Sequence, residues 1–195
     1  MLFTLMNTVE IKHHPGSHLD KLLKRMAMGD KTAFADFYQE TRASIYGFAL
    51  SLTKNAADAE DILQETLLKV WLSADSYKAK GTPMAWVLTI TKNLALMKLR
   101  EKKRHQDLEP EQWDMEFHIP DSAGNTEDRH LLEAALTILT EEERQIVLLH
   151  AVSGLKFREI GELTGIGLST VLSKYHRSLK KLKVYIEGVE ADDRS

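Results

Sequence analysis

The stretch that decides the fold is KFREIGELTGIGLSTVLSKYHRSLKKLK, residues 156–183. Within it Gly161, Gly165 and Val171 stand four and six residues apart, as two helices crossing through a short turn require. A small residue at 161 lets the second helix come close, a glycine at 165 permits a left-handed backbone, and an apolar residue at 171 locks the second helix inward. From Leu163 to Ile186 there is no acidic residue, whereas Lys174, Arg177, Lys180, Lys181 and Lys183 are all cationic. A basic helix after such a turn suits the DNA major groove, its first turns at base edges and its later cations at phosphates. A helical hairpin with a solvated lysine face shares the spacing; the one-sided charge favours DNA.

Immediately upstream, Thr140-Glu-Glu-Glu143 reads as a capped helix start, with carboxylates at the positive end of the helix dipole. Further back the pattern stays helical. Over 56–72 the apolar residues Ala59, Ile62, Leu63, Leu67 and Val70 recur at helical spacing, with Asp58, Asp61 and Glu65 on another face. Gly81, Thr82 as N-cap and Pro83 at the first helical position open a further helix, whose expected buried stripe is Trp86, Ile90, Leu94 and Met97. That helix runs into the basic segment Lys98–Arg104. Residues 19–27 and 32–53 supply two more amphipathic helices, the second carrying Phe34, Phe37, Tyr38, Ile45, Phe48 and Leu52. No alternating strand pattern is visible, so the expected class is all-α.

The chain has 195 residues, no cysteine and a formal charge of −3. Disulfides, thiolate catalysis and cysteine-ligated metals are thereby excluded. No apolar run approaches the roughly 18 residues that span a bilayer. The first residues lack a basic segment and cleavage site, so a cytoplasmic protein without a signal peptide is expected. The net charge hides its distribution. Residues 19–106 hold 15 Lys/Arg against 10 Asp/Glu, and residues 129–186 hold 9 against 6. Between them, 105–128 carries eight carboxylates and no Lys or Arg, with Pro110, Pro120 and the loop-like DSAGNT at 121–126. This predicts two small helical domains, 19–106 and 129–186, joined by a flexible acidic linker at 107–128. A disordered N-terminus at 1–18 and an acidic tail at 187–195 flank them. The charge asymmetry speaks to partners rather than fold.

Two features of the first half invite a functional reading. Asp58, Asp61 and Glu65 form a metal site, a solvated face or a docking face for a basic partner; no second acidic cluster completes a coordination shell. Tyr77 lies in the polar loop 73–81 beside a basic helix, where an aromatic either stacks on an unpaired base or packs. Trp86 reads as core and Asn93 as an internal hydrogen-bonding group. His13, His14 and His18 in the N-terminus, and His105 and His118 near the linker, converge on nothing visible.

Taken in order, DAEDILQETLLKVW (58–71), GTPMAWVLTITKNLALMKLREKKR (81–104) and residues 139–183 resemble the extracytoplasmic-function sigma factors, group IV of the sigma-70 family of bacterial RNA polymerase. The likeness covers roughly 19–106 and 129–186. It implies a sigma region 2-like bundle and a sigma region 4-like helix-turn-helix. Asp58, Asp61, Gln64 and Glu65 would then meet the β′ clamp helices of core polymerase, whose β subunit is also implied as a partner. Tyr77, Trp86 and Asn93 would engage the melted −10 strand, with Lys98, Arg100, Lys102, Lys103 and Arg104 along its backbone. Ser169, Thr170, Ser173, Lys174, His176, Arg177, Lys180 and Lys181 would meet the −35 element. The resemblance implies a transcription initiation factor with promoter DNA and an anti-sigma factor as partners. No catalytic residue, metal, cofactor or membrane insertion belongs to it.

Several positions depart from the family pattern, Lys174 and His176 among them. Met97 stands where an acidic residue is usual, Leu67 where an aromatic is frequent, and Leu172 where a cation commonly begins base readout. Leucine cannot make the bidentate guanine contact that arginine makes, worth about 1–3 kcal/mol. An atypical −35 preference is therefore expected, resting on Ser173, Lys174, His176 and Arg177. Two rival classes remain: a stand-alone helix-turn-helix regulator, and a metal-dependent nuclease or phosphohydrolase built on the carboxylates.

Overall fold

A computed structural model describes residues 15–78, 82–105 and 137–192, and those residues form helices and connecting turns with no strand among them. In chain order these are α1 (Pro15–Ala27), α2 (Lys31–Thr53), α3 (Ala56–Ser73) with a 3-10 turn at Ala74–Ser76, and α4 (Pro83–His105). The second half supplies α5 (Glu141–Ala151), α6 (Phe157–Thr164) and α7 (Leu168–Asp192). Residues 1–14, 79–81, 106–136 and 193–195 lie outside the described set, and with them the acidic stretch, His13, His14 and His118. Two margins differ from expectation. α1 begins at Pro15, so Pro15–His18 are helical, with proline at a position that tolerates it. α7 continues to Asp192, carrying most of the expected tail within the helix.

The helix starts follow local chemistry. Asp30 Oδ1 accepts hydrogen bonds from the Thr32 and Ala33 N–H groups at 2.9 and 3.1 Å, capping α2. Arg25 donates to its other oxygen at 2.8 Å. These bonds, led by that from the Thr32 hydroxyl, hold the Asp30 carboxyl well below the usual range. The Thr82 hydroxyl accepts from the Ala85 N–H at 3.4 Å, the N-cap expected for α4. At α5 the capping box is complete: Thr140 Oγ1 accepts from the Glu143 N–H, and Glu143 accepts from the Thr140 N–H at 3.0 Å.

The first half is a cluster in which α1–α4 pack on one another. Leu22, Leu23, Phe37, Ile45, Ile62, Val70 and Leu88 are all but inaccessible; burying each such side chain contributes about 1.5–3 kcal/mol. Ala49, Ala59 and Ala95 let α2, α3 and α4 approach closely around Ile62 and Leu94. The buried stripe of α4 is Met84, Val87, Leu88, Thr91, Leu94 and Ala95. Trp86 and Ile90 lie at its margin and Met97 is 51% exposed, so the expected stripe was rotated by part of a turn.

The two halves share a core. Ile146, Leu149, Leu155, Ile160, Leu163 and Val171 join the same apolar cluster as Phe37, Ile45, Phe48 and Leu88. Polar contacts line this seam. The Thr82 N–H donates to Glu159 at 3.1 Å, the Lys92 ammonium donates to the Leu163 carbonyl at 2.6 Å, and Lys54 pairs with Glu141. α6 is thus held to α4 at both of its ends. Leu139, Val147, Leu182 and Ile186 form a smaller cluster between α5 and the distal half of α7.

Candidate polymerase and nucleic-acid interfaces

The carboxylates of α3 differ in exposure. Asp58 is 6% exposed and turned onto α4, 2.8 Å from Lys102 and 3.5 Å from Lys98. Its role is to clamp α3 to the basic end of α4, a correction to its expected place on a docking face. The reason is long-range: the two lysines lie some 40 residues downstream and arrive only when α4 packs on α3. Asp61, Gln64 and Glu65 are exposed, as expected. Asp61 pairs with Lys98, and hydrogen bonding to Asp61 pushes the Lys98 ammonium above the ordinary lysine range.

Leu68 and Leu72 complete this surface and were not singled out from the sequence. They are 56% and 70% exposed. With Asp61 and Glu65 they fall at i, i+4, i+7 and i+11, one stripe of an α-helix. The spacing alone held that signal. An apolar pair at the end of an acidic stripe is the surface a partner helix with basic and apolar side chains would cover.

At the other end of the first half, Tyr77 follows the 3-10 turn in an extended conformation. Its ring lies 5.0 Å from that of Trp86, tilted by 50°. Its hydroxyl donates to Asp20 Oδ1 of α1 at 2.9 Å. Burial first, and then the Asp20 carboxylate, push the phenol far above its ordinary range, so it remains a donor. Trp86 is half-buried, packed against the core at its margin. Asn93 is exposed on α4 rather than turned inward. Arg100, Lys103 and Arg104 are exposed beyond it, whereas Lys98 and Lys102 face the α3 carboxylates. The basic run therefore divides into cations that can meet a phosphate backbone and cations that hold the bundle.

The second half is a helix-turn-helix. Gly165 has φ +79° and its N–H bonds to the Gly161 carbonyl at 2.9 Å, closing α6. A Cβ on Gly161 would lie 2.9 Å from the Ile166 carbonyl oxygen. The close approach is thus to the turn rather than to the second helix. Val171 is fully buried, as its position predicts. Ser169, Thr170, Ser173, His176, Arg177 and Lys180 are exposed along α7, and Leu172 is half-buried beside them. Two cations are committed elsewhere. Lys174 pairs with Glu142 at 2.7 Å, and Lys181 reaches the buried Glu143 at 2.8 Å. The Lys181 hydrogen bond is the main cause of the lowered Glu143 pKa. Both acids come from the run that caps α5, so the same carboxylates start one helix and hold its neighbour.

Among the described residues no group of three His, Asp or Glu side chains is placed to hold a metal ion, and no helix is long and apolar enough to cross a membrane.

Two family matches fall on these surfaces: Sigma-70 region 2 over residues 37–105 and Sigma-70 region 4 over residues 129–182. The ECF RNA polymerase sigma factor SigK of Mycobacterium ulcerans is 30% identical over 171 residues, covering 85% of this chain and 91% of its own. SigK of Mycobacterium bovis is 30% identical over 173 residues, covering 86% and 92%. Among solved structures, RpoE of Bartonella quintana in complex with the anti-sigma factor NepR aligns with a TM-score of 0.59 and 27% identity, covering 78% of this chain and 97% of that one. CnrH, in complex with the cytosolic domain of CnrY, shares the fold at a TM-score of 0.54 and 18% identity, covering 88% and 98%. With both sigma regions in order along one chain, and relatives matched over most of their length, this chain belongs to the extracytoplasmic-function sigma factors of the sigma-70 family.

Proposed function

We infer that this chain binds core RNA polymerase and directs it to promoters, one half reading the −10 element and the other the −35 element. The observation that carries this reading is the pairing of both sigma regions with exposed surfaces suited to their tasks. Asp61, Gln64 and Glu65, extended by Leu68 and Leu72, dock on the β′ clamp helices. Tyr77, Trp86 and Asn93 hold the melted non-template strand, with Arg100, Lys103 and Arg104 along its backbone. Ser169, Thr170, Ser173, His176, Arg177 and Lys180 face the −35 duplex. Leu172 supplies no bidentate guanine contact, so the preferred −35 element departs from the GGAAC-like form.

Residues 19–106 and 129–186 are the working units, and 107–128 connects them along the polymerase. The protein acts in the cytoplasm and performs no covalent chemistry; the polymerase does. An anti-sigma factor that covers the same faces is the expected inhibitor, in line with the anti-sigma factor NepR bound to RpoE. Two weak promoter contacts joined through one polymerase act as a bivalent ligand, stronger together than either alone.

Mixing the purified chain with sigma-free core polymerase tests the reading. Co-elution with the core enzyme at submicromolar concentration is expected. Binding to duplex operators without any core association would instead make it a stand-alone helix-turn-helix regulator.

A further inference from the structure

We infer that Asp20 is a positioning residue for promoter melting: its carboxylate fixes the Tyr77 phenol, so that Tyr77 and Trp86 form a preset platform for an unpaired base. This rests on the proposed role of Tyr77 at the melted −10 strand. Asp20 lies on α1, ahead of the matched sigma region 2 at 37–105. It is therefore a contribution of this chain outside that match.

Tyr77 needs such a support. It is the first extended residue after the 3-10 turn, so the regular backbone that would orient its side chain ends there. Two contacts replace it: the hydroxyl on Asp20 at 2.9 Å and the ring face near Trp86 at 5.0 Å. The helix that carries Asp20 is anchored, because Leu19, Leu22, Leu23 and Met26 bury it in the core. Both ends of the phenol ring are thus set before DNA arrives. Ordering a side chain on binding costs about 0.5–1.5 kcal/mol, and a ring already held avoids that loss. The phenol stays protonated through the physiological range, as burial and the adjacent carboxylate dictate, so the tie does not lapse with modest pH changes.

The test uses full-length variants in holoenzyme with core polymerase, on a promoter fragment selected by the wild-type holoenzyme. 2-Aminopurine is placed singly across the −10 segment of the non-template strand. Tyr77→Phe and Asp20→Ala should each lower open-complex occupancy by about 2- to 10-fold. The double variant should be no worse than either single one, since both break the same hydrogen bond. Asp20→Asn, whose amide oxygen still accepts, should recover part of the loss. Core association and −35 duplex binding should not change. A purely structural tie between α1 and the turn gives another pattern: Asp20→Ala lowers the melting temperature while folded holoenzyme melts promoters as wild type does. That result, or losses that multiply in the double variant, overturns the positioning role. Tyr77→Ala separates the two levels. If it too melts promoters normally, the base-stacking reading fails; if it is defective while Asp20→Ala and Tyr77→Phe are silent, only the positioning role fails.

Discussion

Glu159 accepts a hydrogen bond from the backbone N–H of Thr82 at 3.1 Å, which places a carboxylate of α6 at the start of α4. Its second oxygen accepts from the Lys156 N–H at 2.9 Å, at the start of its own helix. One side chain therefore satisfies the exposed N–H groups of two helices from opposite halves of the chain. At the far end of α6 the Lys92 ammonium meets the Leu163 carbonyl, where a helix end favours a cation. With the shared apolar cluster, this clasp couples sigma regions 2 and 4.

The clasp makes unfolding of the free protein cooperative. With Trp113 of the acidic stretch replaced by phenylalanine, Trp71 and Trp86 report on the first half, whereas ellipticity reports on both. Thermal transitions followed by tryptophan fluorescence and by ellipticity should coincide in that background. Glu159→Ala should lower stability by about 1–2 kcal/mol and pull the two transitions apart.

Gly161→Ala should destabilise the second half by about 1–3 kcal/mol in urea unfolding. The added Cβ meets a backbone oxygen at 2.9 Å, which no side-chain rotation relieves. Alanine's better helix propensity, about 1 kcal/mol, offsets only part of that. Duplex −35 binding should fall with it, because the turn sets the angle of α7.

Acid should weaken the joint between α5 and α7. Glu143 is buried, and the Lys181 bond lowers its folded pKa below the unfolded value of about 4.3. Its stabilisation is thus fully present above that value and is lost as pH falls through the folded pKa. Glu143→Gln should be less stable than wild type at pH 7, with the gap narrowing below about pH 4. Denaturant midpoints measured across pH 2.5–7 check this.

The proposed polymerase surface separates folding from docking. Leu68→Ser with Leu72→Ser should leave the melting temperature nearly unchanged, since both side chains are more than half exposed. Core-polymerase affinity should drop by about 30-fold or more, the loss expected of a binding hot spot. Asp58→Ala should do the opposite first, costing about 1 kcal/mol of stability by removing the carboxylate from Lys102, while Lys98 keeps Asp61. Calorimetry beside a core-binding titration distinguishes the two.

What the sequence made legible was local. The Thr140 capping box, the Thr82 cap, the left-handed Gly165 and the buried Val171 each depend on neighbours within a few residues. The family motifs extended that reading to the order of the two sigma regions. What escaped was set by distant partners. Asp58 looked like the start of a surface stripe until α4 brought Lys98 and Lys102 to it. Lys174 and Lys181 looked free for DNA until the acidic start of α5 packed against them. Met97 looked buried because apolar spacing on α4 fits two stripes, and contact with α2 and α3 selects the other. Asp20 and Tyr77 lie 57 residues apart, and no spacing rule joins them.

Promoter-directed transcription by reconstituted holoenzyme tests the central claim most directly. Sigma-free core polymerase, this chain and a library of genomic promoter fragments should give transcripts with defined starts, each preceded by shared −10 and −35 elements. Core polymerase alone should give none of them. Transcripts unchanged by adding the chain, despite a folded protein, would contradict the account.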